Sequence, residues 1–112
     1  MNAPAPETGS AEAILLREDR DAIALLTLNR PKARNALSEA LITSLSDAFA
    51  AIAADRSVRA VVLAANGPAF CAGHDLKELT ARRRDSDRGR AYFQHIMSIC
   101  SAMMQQIVAL PQ

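Results

Sequence analysis

The sequence predicts an α/β fold, and three observations carry that prediction. Two strand-like runs near the start flank a polar turn. An amphipathic helical stretch follows them. A short, continuous apolar run then returns toward the sheet. A hairpin, a helix and a returning strand are the ingredients of mixed α/β organisation.

Residues 1–12 are polar and rich in proline and alanine. They read as a disordered lead-in to one domain over residues 13–112. With no basic start and no apolar core, they resemble neither a secretory signal nor a transit peptide. Ala13 to Glu18 and Ala22 to Asn29 then read as two strands around the turn Asp19-Arg20-Asp21. The second run is apolar at nearly every position, so part of both faces is expected to be covered. Arg30 to Asn35 is a loop, in which Pro31 ends the strand and Lys32 and Arg34 supply two cations.

Ser38 is a good N-cap, and Glu39 sits where the helix macrodipole favours an acid. Leu41, Leu45, Ala48, Phe49, Ile52 and Ala53 recur at helical spacing. The helix is expected from Ser38 to about Ala54. Asp55-Arg56-Ser57 turns the chain into a strand over Val58 to Ala64.

The rest of the chain is organised around Val61 to Leu79. From Val61 to Ala65 there is no polar residue and no alternation, the pattern of a strand covered on both faces. Asn66-Gly67-Pro68 ends it, since proline cannot continue a ladder and Asn-Gly tolerates positive φ. Asp75 stands three residues before Glu78, which predicts a capping box. Asp75 accepts from the first-turn amides and Glu78 reaches back. Gly73 lets the backbone pass close to something just before that cap. Unused N–H groups around Gly73 and His74 are then aimed out of a helix N-terminus, suited to an anion or a developing oxyanion.

Ala81 to Arg90 carries five arginines and reads as a solvated connector, with a phosphate-attracting rim as the functional alternative. From Ala91 to Ala109 the helical period returns. Phe93, Ile96, Met97, Cys100, Met104, Ile107 and Val108 mark its apolar face, widened by Tyr92, Ile99 and Met103. The methionines read as core filling. Leu110-Pro111 stops the helix. One hairpin, one strand and two long helices leave much apolar surface to cover. Exposing a leucine-sized side chain forgoes about 1.5–3 kcal/mol, so the chain is expected to be part of a larger domain or to need a partner.

Composition narrows the chemistry. A net charge of +1, 4% aromatic residues and no tryptophan give no support for nucleic acid or membrane as partner. Cys71 and Cys100 are the only cysteines, and they read as reduced thiols of a cytoplasmic protein. Cys71, His74 and Asp75 lack the second cluster that a metal site needs, so no metal is expected. Cys71 and His74 are too close on a tight loop to form a nucleophile–base pair. No convergent pair of carboxylates is indicated outside the capping box. The residues offer an oxyanion site without an evident acid or base.

Two separated motifs, Asn29 to Ser38 and Val61 to Leu79, resemble the N-terminal half of the crotonase (enoyl-CoA hydratase/isomerase) superfamily. The likeness covers residues 13 to 112. Phe70 to Leu79 is most similar to the subgroup of enoyl-CoA hydratase domain-containing proteins. The resemblance implies the N-terminal portion of a spiral of β-β-α units. It implies no permanently bound cofactor and an acyl-CoA thioester as the ligand and substrate. The backbone N–H of His74, set up by Gly73, is implied to be one of two oxyanion-hole donors. Ala72 is implied to lie along the bound CoA, and the loop from Lys32 through Ala33 and Arg34 to lie near its adenosine and phosphates. A homotrimer or a hexamer is the assembly implied.

The leading expectation is therefore acyl-CoA binding with polarisation of the thioester carbonyl, as in hydration of a 2-enoyl-CoA in fatty-acid metabolism. The family's second oxyanion donor and its acid–base glutamates come later than these 112 residues, so no useful hydratase turnover is expected of this chain alone. The alternative is a non-catalytic CoA-binding or regulatory module, or an inactive fragment. Ala22 departs from the glycine common in the family at that turn.

Overall fold

A computed structural model describes residues 13–112. The predicted lead-in lies outside the described residues. The elements are β1 (Leu15–Arg20), β2 (Ile23–Leu28), a 3-10 turn (Pro31–Ala33), α1 (Glu39–Ala53), β3 (Ala60–Ala65), α2 (Leu76–Arg82) and α3 (Arg90–Ala109). The three strands form one sheet in the order β1-β2-β3. β1 and β2 are antiparallel, with Leu15 opposite Leu28 and Arg20 opposite Ile23. β3 lies parallel to β2, with Ile23 opposite Ala60 and Leu28 opposite Ala65. A parallel neighbour requires a crossover, and α1 supplies it.

The hairpin turn is Asp21-Ala22, one step later than expected. Asp19 and Arg20 belong to β1, and both turn residues are left-handed, with φ of 52° and 67°. Positive φ at both positions is the signature of a type I′ turn, one of the two-residue hairpin loops that match the strand twist. Alanine is strained there, because its Cβ crowds the following carbonyl. Ala22→Gly is expected to raise stability by about 1 kcal/mol. A urea titration that finds no gain refutes the strain.

The core lies on one side of the sheet. Ala24, Leu26 and Leu28 alternate toward it and are almost fully buried, as are Leu41, Ile42, Leu45, Phe49 and Ile52 of α1. Ile96, Cys100 and Met103 of α3 close the same cluster. Val61, Leu63 and Ala65 of β3 pack against it. The opposite face of the sheet is not covered by the described residues, so Ile23 and Val62 are 40% and 47% exposed. The expectation of two covered faces is corrected here, because α1 and α3 both lie on one side.

The helical face of α3 is also rotated from the one expected. Met103 is buried, while Met97, Met104, Ile107 and Val108 are exposed. The helix is apolar around most of its circumference, so periodicity does not choose a side, and packing on α1 does. Two glutamines fasten that packing. Gln106 Nε2 donates to the Ser46 carbonyl at 3.1 Å. Gln112 Nε2 donates to the carbonyls of Ile52 and Asp55 at 2.7 and 3.2 Å, closing the C-terminal end of α1.

The arginine-rich stretch is a capped turn rather than a bare connector. Asp87 accepts from the N–H groups of Gly89 and Ala91, both at 2.9 Å, and so opens α3. Arg82 pairs with Asp85 at 2.8 Å and stacks over the Tyr92 ring at 4.1 Å. No described helix is long and apolar enough to cross a membrane.

Candidate functional site

Two loops leave the same end of the sheet, residues 30–37 after β2 and residues 66–75 after β3, and they are sewn together. The Ala72 N–H donates to the Arg34 carbonyl at 3.0 Å. Leu37 and His74 form an isolated parallel bridge. In it the Leu37 N–H donates to the Gly73 carbonyl at 2.7 Å, and the Leu37 carbonyl accepts from the Asp75 N–H at 3.2 Å.

The bridge fixes the direction of one group. In a parallel pairing, a residue bonded to both neighbours of its partner leaves the partner's own N–H and C=O pointing the other way. That partner is His74. Among the described residues no acceptor takes the His74 N–H. The turn before it depends on Gly73, whose φ is +101°. A Cβ there meets nothing within 4 Å, so Gly73 is needed for its backbone conformation and not for a close approach. The close approach is at Gly67, where a Cβ would sit 2.7 Å from the Pro31 Cβ.

Asn35 is the hub that the sequence reading passed over. It is fully buried and left-handed, with φ of 55°. Its Nδ2 donates to the carbonyls of Asn66 and Ala69, both at 2.9 Å, and its Oδ1 accepts from the Arg30 N–H at 2.7 Å. One side chain thus ties both loops. A polar residue between Arg34 and two apolar residues was the available signal, since asparagine both tolerates positive φ and satisfies backbone groups.

Asp75 caps α2 as expected, accepting from the N–H groups of Lys77 and Glu78 at 3.0 and 3.2 Å. It also pairs with Arg30 at 3.1 Å, and Arg30 Nη1 donates to the Ala36 carbonyl. Burial works to raise the Asp75 pKa. The Glu78 N–H, the Arg30 guanidinium and the Lys77 N–H outweigh it and hold the carboxyl below its ordinary range. Asp75 therefore takes the Lys77 and Glu78 amides of α2, which has only seven residues. The His74 N–H is left unused by the bridge and lies before this helix.

Glu78 does not close the capping box. The Asp75 N–H is already bonded to Leu37. Glu78 instead accepts the Glu39 N–H at 2.9 Å, at the start of α1. The Tyr92 hydroxyl donates to Glu39 at 3.2 Å and to Glu78 at 3.4 Å, and His95 Nε2 lies 2.9 Å from Glu39. So the fold does bring two carboxylates together, contrary to the sequence expectation. Burial, then the charges of Glu78 and Glu39, push the Tyr92 pKa up to about 12, so it remains a hydroxyl donor at neutral pH. The His95 and Tyr92 hydrogen bonds hold Glu39 below its ordinary range against burial.

Of the predicted site residues, all but Gly73 line one open concavity of about 520 Å³. Lys32, Ala33 and Arg34 line one side, and Ala72 and His74 line the other. Lys77 adds a third cation, and among the described residues no carboxylate pairs with Lys32, Arg34 or Lys77. Asp75, the carboxylate in the wall, is already neutralised by Arg30. The site therefore favours anions, with a backbone donor beside them. No hydrogen bond joins Cys71 to His74, whose Nδ1 is buried and without a partner among the described groups.

A family profile described as enoyl-CoA hydratase/isomerase matches residues 18–110. The chain belongs to this family. The human mitochondrial enoyl-CoA hydratase domain-containing protein 3 is 38% identical over 87 residues, spanning 78% of this chain and 27% of that protein. A Mycobacterium smegmatis enoyl-CoA hydratase crystal structure superposes with a TM-score of 0.79 at 48% identity, over 89% of this chain and 37% of that one. The crystal structure of human enoyl-CoA hydratase domain-containing protein 3 gives a TM-score of 0.75 at 34% identity, over 85% of this chain and 36% of that one. The three-stranded sheet and its helices are thus a partial crotonase fold, and the chain spans 27% of the length of the human relative.

Proposed function

We propose that this chain supplies the CoA-binding side of a thioester-polarising site of the enoyl-CoA hydratase type. The supporting observation is the His74 N–H, left unused by the Leu37 bridge, in a residue that lines the cationic concavity. Lys32 and Arg34 contact the phosphates, with Ala33 beside the adenosine. Ala72 lies along the bound CoA. The His74 N–H donates to the thioester oxygen, which draws electron density from the carbonyl and favours an enolate. Joined by a second donor and an acid–base pair, this contact would serve addition of water to a 2-enoyl-CoA, and trimers or hexamers are part of the same proposal.

The described residues provide one oxyanion donor. Losing one donor of such a hole costs about 2.7–4 kcal/mol of barrier lowering. Glu39 and Glu78 are engaged with Tyr92, His95 and the start of α1, so neither is poised to move a proton to substrate. The chain is therefore expected to bind crotonyl-CoA without robust hydration of it. Isothermal titration and the loss of enoyl absorbance check the two halves of that statement separately. Lys32→Ala together with Arg34→Ala should weaken binding roughly tenfold, more at low salt than at high salt. Unchanged affinity in that double variant sinks the proposal, and rapid turnover by the wild type overturns the expectation that one donor is too few.

A further inference from the structure

We propose that Glu78 is a positioning residue for the His74 N–H, acting through the first turn of α1. The inference rests on the reading of His74 as the thioester donor. Two short segments run side by side here, already held by the Ala72–Arg34 bond, by Asn35 and by the Arg30–Asp75 pair, and two further ties flank the His74 N–H. The first tie is the Leu37–His74 bridge. The second is the bond from the Glu39 N–H to Glu78 Oε1 at 2.9 Å. Leu37 and Glu39 are two residues apart, and His74 and Glu78 are one helical turn apart. The bridge and the ties before it hold the approach to His74, and the Glu39–Glu78 bond is the one that joins the start of α1 to α2 on its far side.

Among the described residues, Glu78 is the acceptor that takes the Glu39 N–H. Ser38 Oγ is engaged with the Leu41 N–H at 3.1 Å. Asp75 is engaged with its own helix and with Arg30. The Glu39 N–H is one of the amides that α1 leaves without an internal partner, and Glu78 supplies its acceptor from another helix. Tyr92 holds that acceptor in place. Its hydroxyl donates to Glu78 Oε1 at 3.4 Å and to Glu39 Oε1 at 3.2 Å, while the Arg82 guanidinium lies 4.1 Å over its ring. α1, α2 and α3 thereby converge on one carboxylate. The geometry makes the aim of the His74 N–H a property of three helices and not of its loop alone.

The test separates aim from mere binding. Butyryl-CoA has the thioester carbonyl, and S-butyl-CoA lacks it. Their affinity ratio for the 112-residue chain reads the carbonyl contact, while CoA alone reads the phosphate contacts. Glu78→Ala is expected to reduce the ratio roughly tenfold, the worth of one well-aimed hydrogen bond, with CoA affinity unchanged. Glu78→Gln keeps an acceptor oxygen and should restore the ratio. In amide NMR, the Glu39 and His74 resonances should shift together in Glu78→Ala and stay near wild type in Glu78→Gln. If the alanine variant does not fold, Glu78→Asp, one methylene short, is read by the same ratio and the same two resonances. A wild-type ratio retained in a folded Glu78→Ala or Glu78→Asp overturns the positioning role alone. A wild type with no preference for the thioester overturns the reading of His74 itself, and the positioning role with it.

Discussion

Replacing Asn35 with alanine is expected to destabilise the chain by about 3–4 kcal/mol, roughly 1 kcal/mol for each of three buried hydrogen bonds plus the strain of alanine at positive φ. The loss is large because the partners stay behind. The carbonyls of Asn66 and Ala69 and the Arg30 N–H would each lose their side-chain partner. Few domains of this size can absorb that fraction of their stability. Urea unfolding should show a lower midpoint with an unchanged slope. The same variant should also lose CoA binding, since the two loops that line the concavity are joined through this side chain. A loss below about 1 kcal/mol would mean that water replaces these bonds freely.

Asp75→Ala is expected to cost about 3 kcal/mol, from an N-cap worth about 1 kcal/mol and a partly buried pair whose partner is left uncompensated. The Arg30 and Asp75 side chains are only 22% and 12% exposed, so solvent screens the pair weakly. The same contacts give a pH dependence. Asp75 is held below its ordinary pKa in the fold. A depressed carboxyl stabilises the native state fully above the unfolded pKa, about 3.9. That contribution fades as pH falls through the lower folded value. The gap in stability between wild type and Asp75→Asn should therefore be constant near pH 7 and shrink below about pH 4. A gap that is flat down to pH 2 would rule out the ion pair and cap as its source.

Much of this site could be read in the residues. Ser38 caps α1 and Asp75 caps α2 because each is a short polar side chain placed before a helical run. Lys32, Ala33, Arg34, Ala72 and His74 do line one concavity. The role of Glu78 could not be read, because a capping box and a cross-helix cap look alike in one dimension. What separates them is whether the Asp75 N–H is already taken, and Leu37, thirty-odd residues away, takes it. The Glu39–Tyr92–Glu78 group was invisible for the same reason, since its members come from three helices. Gly73 has the positive φ that glycine tolerates, but the open space around it does not support the close approach expected there.

The order of elements, the helix starts, the two loops of the candidate site and the family likeness were all legible in the residues. These are local properties, set by side-chain periodicity, proline and glycine backbone limits and short-range capping. Tertiary structure decided which face of α3 is buried, which face of the sheet is open, and where the His74 N–H points. Each of those depends on partners distant in the chain. An apolar run states that it must be buried without stating against what, and an amide acquires a direction only when a neighbouring strand has used the other side.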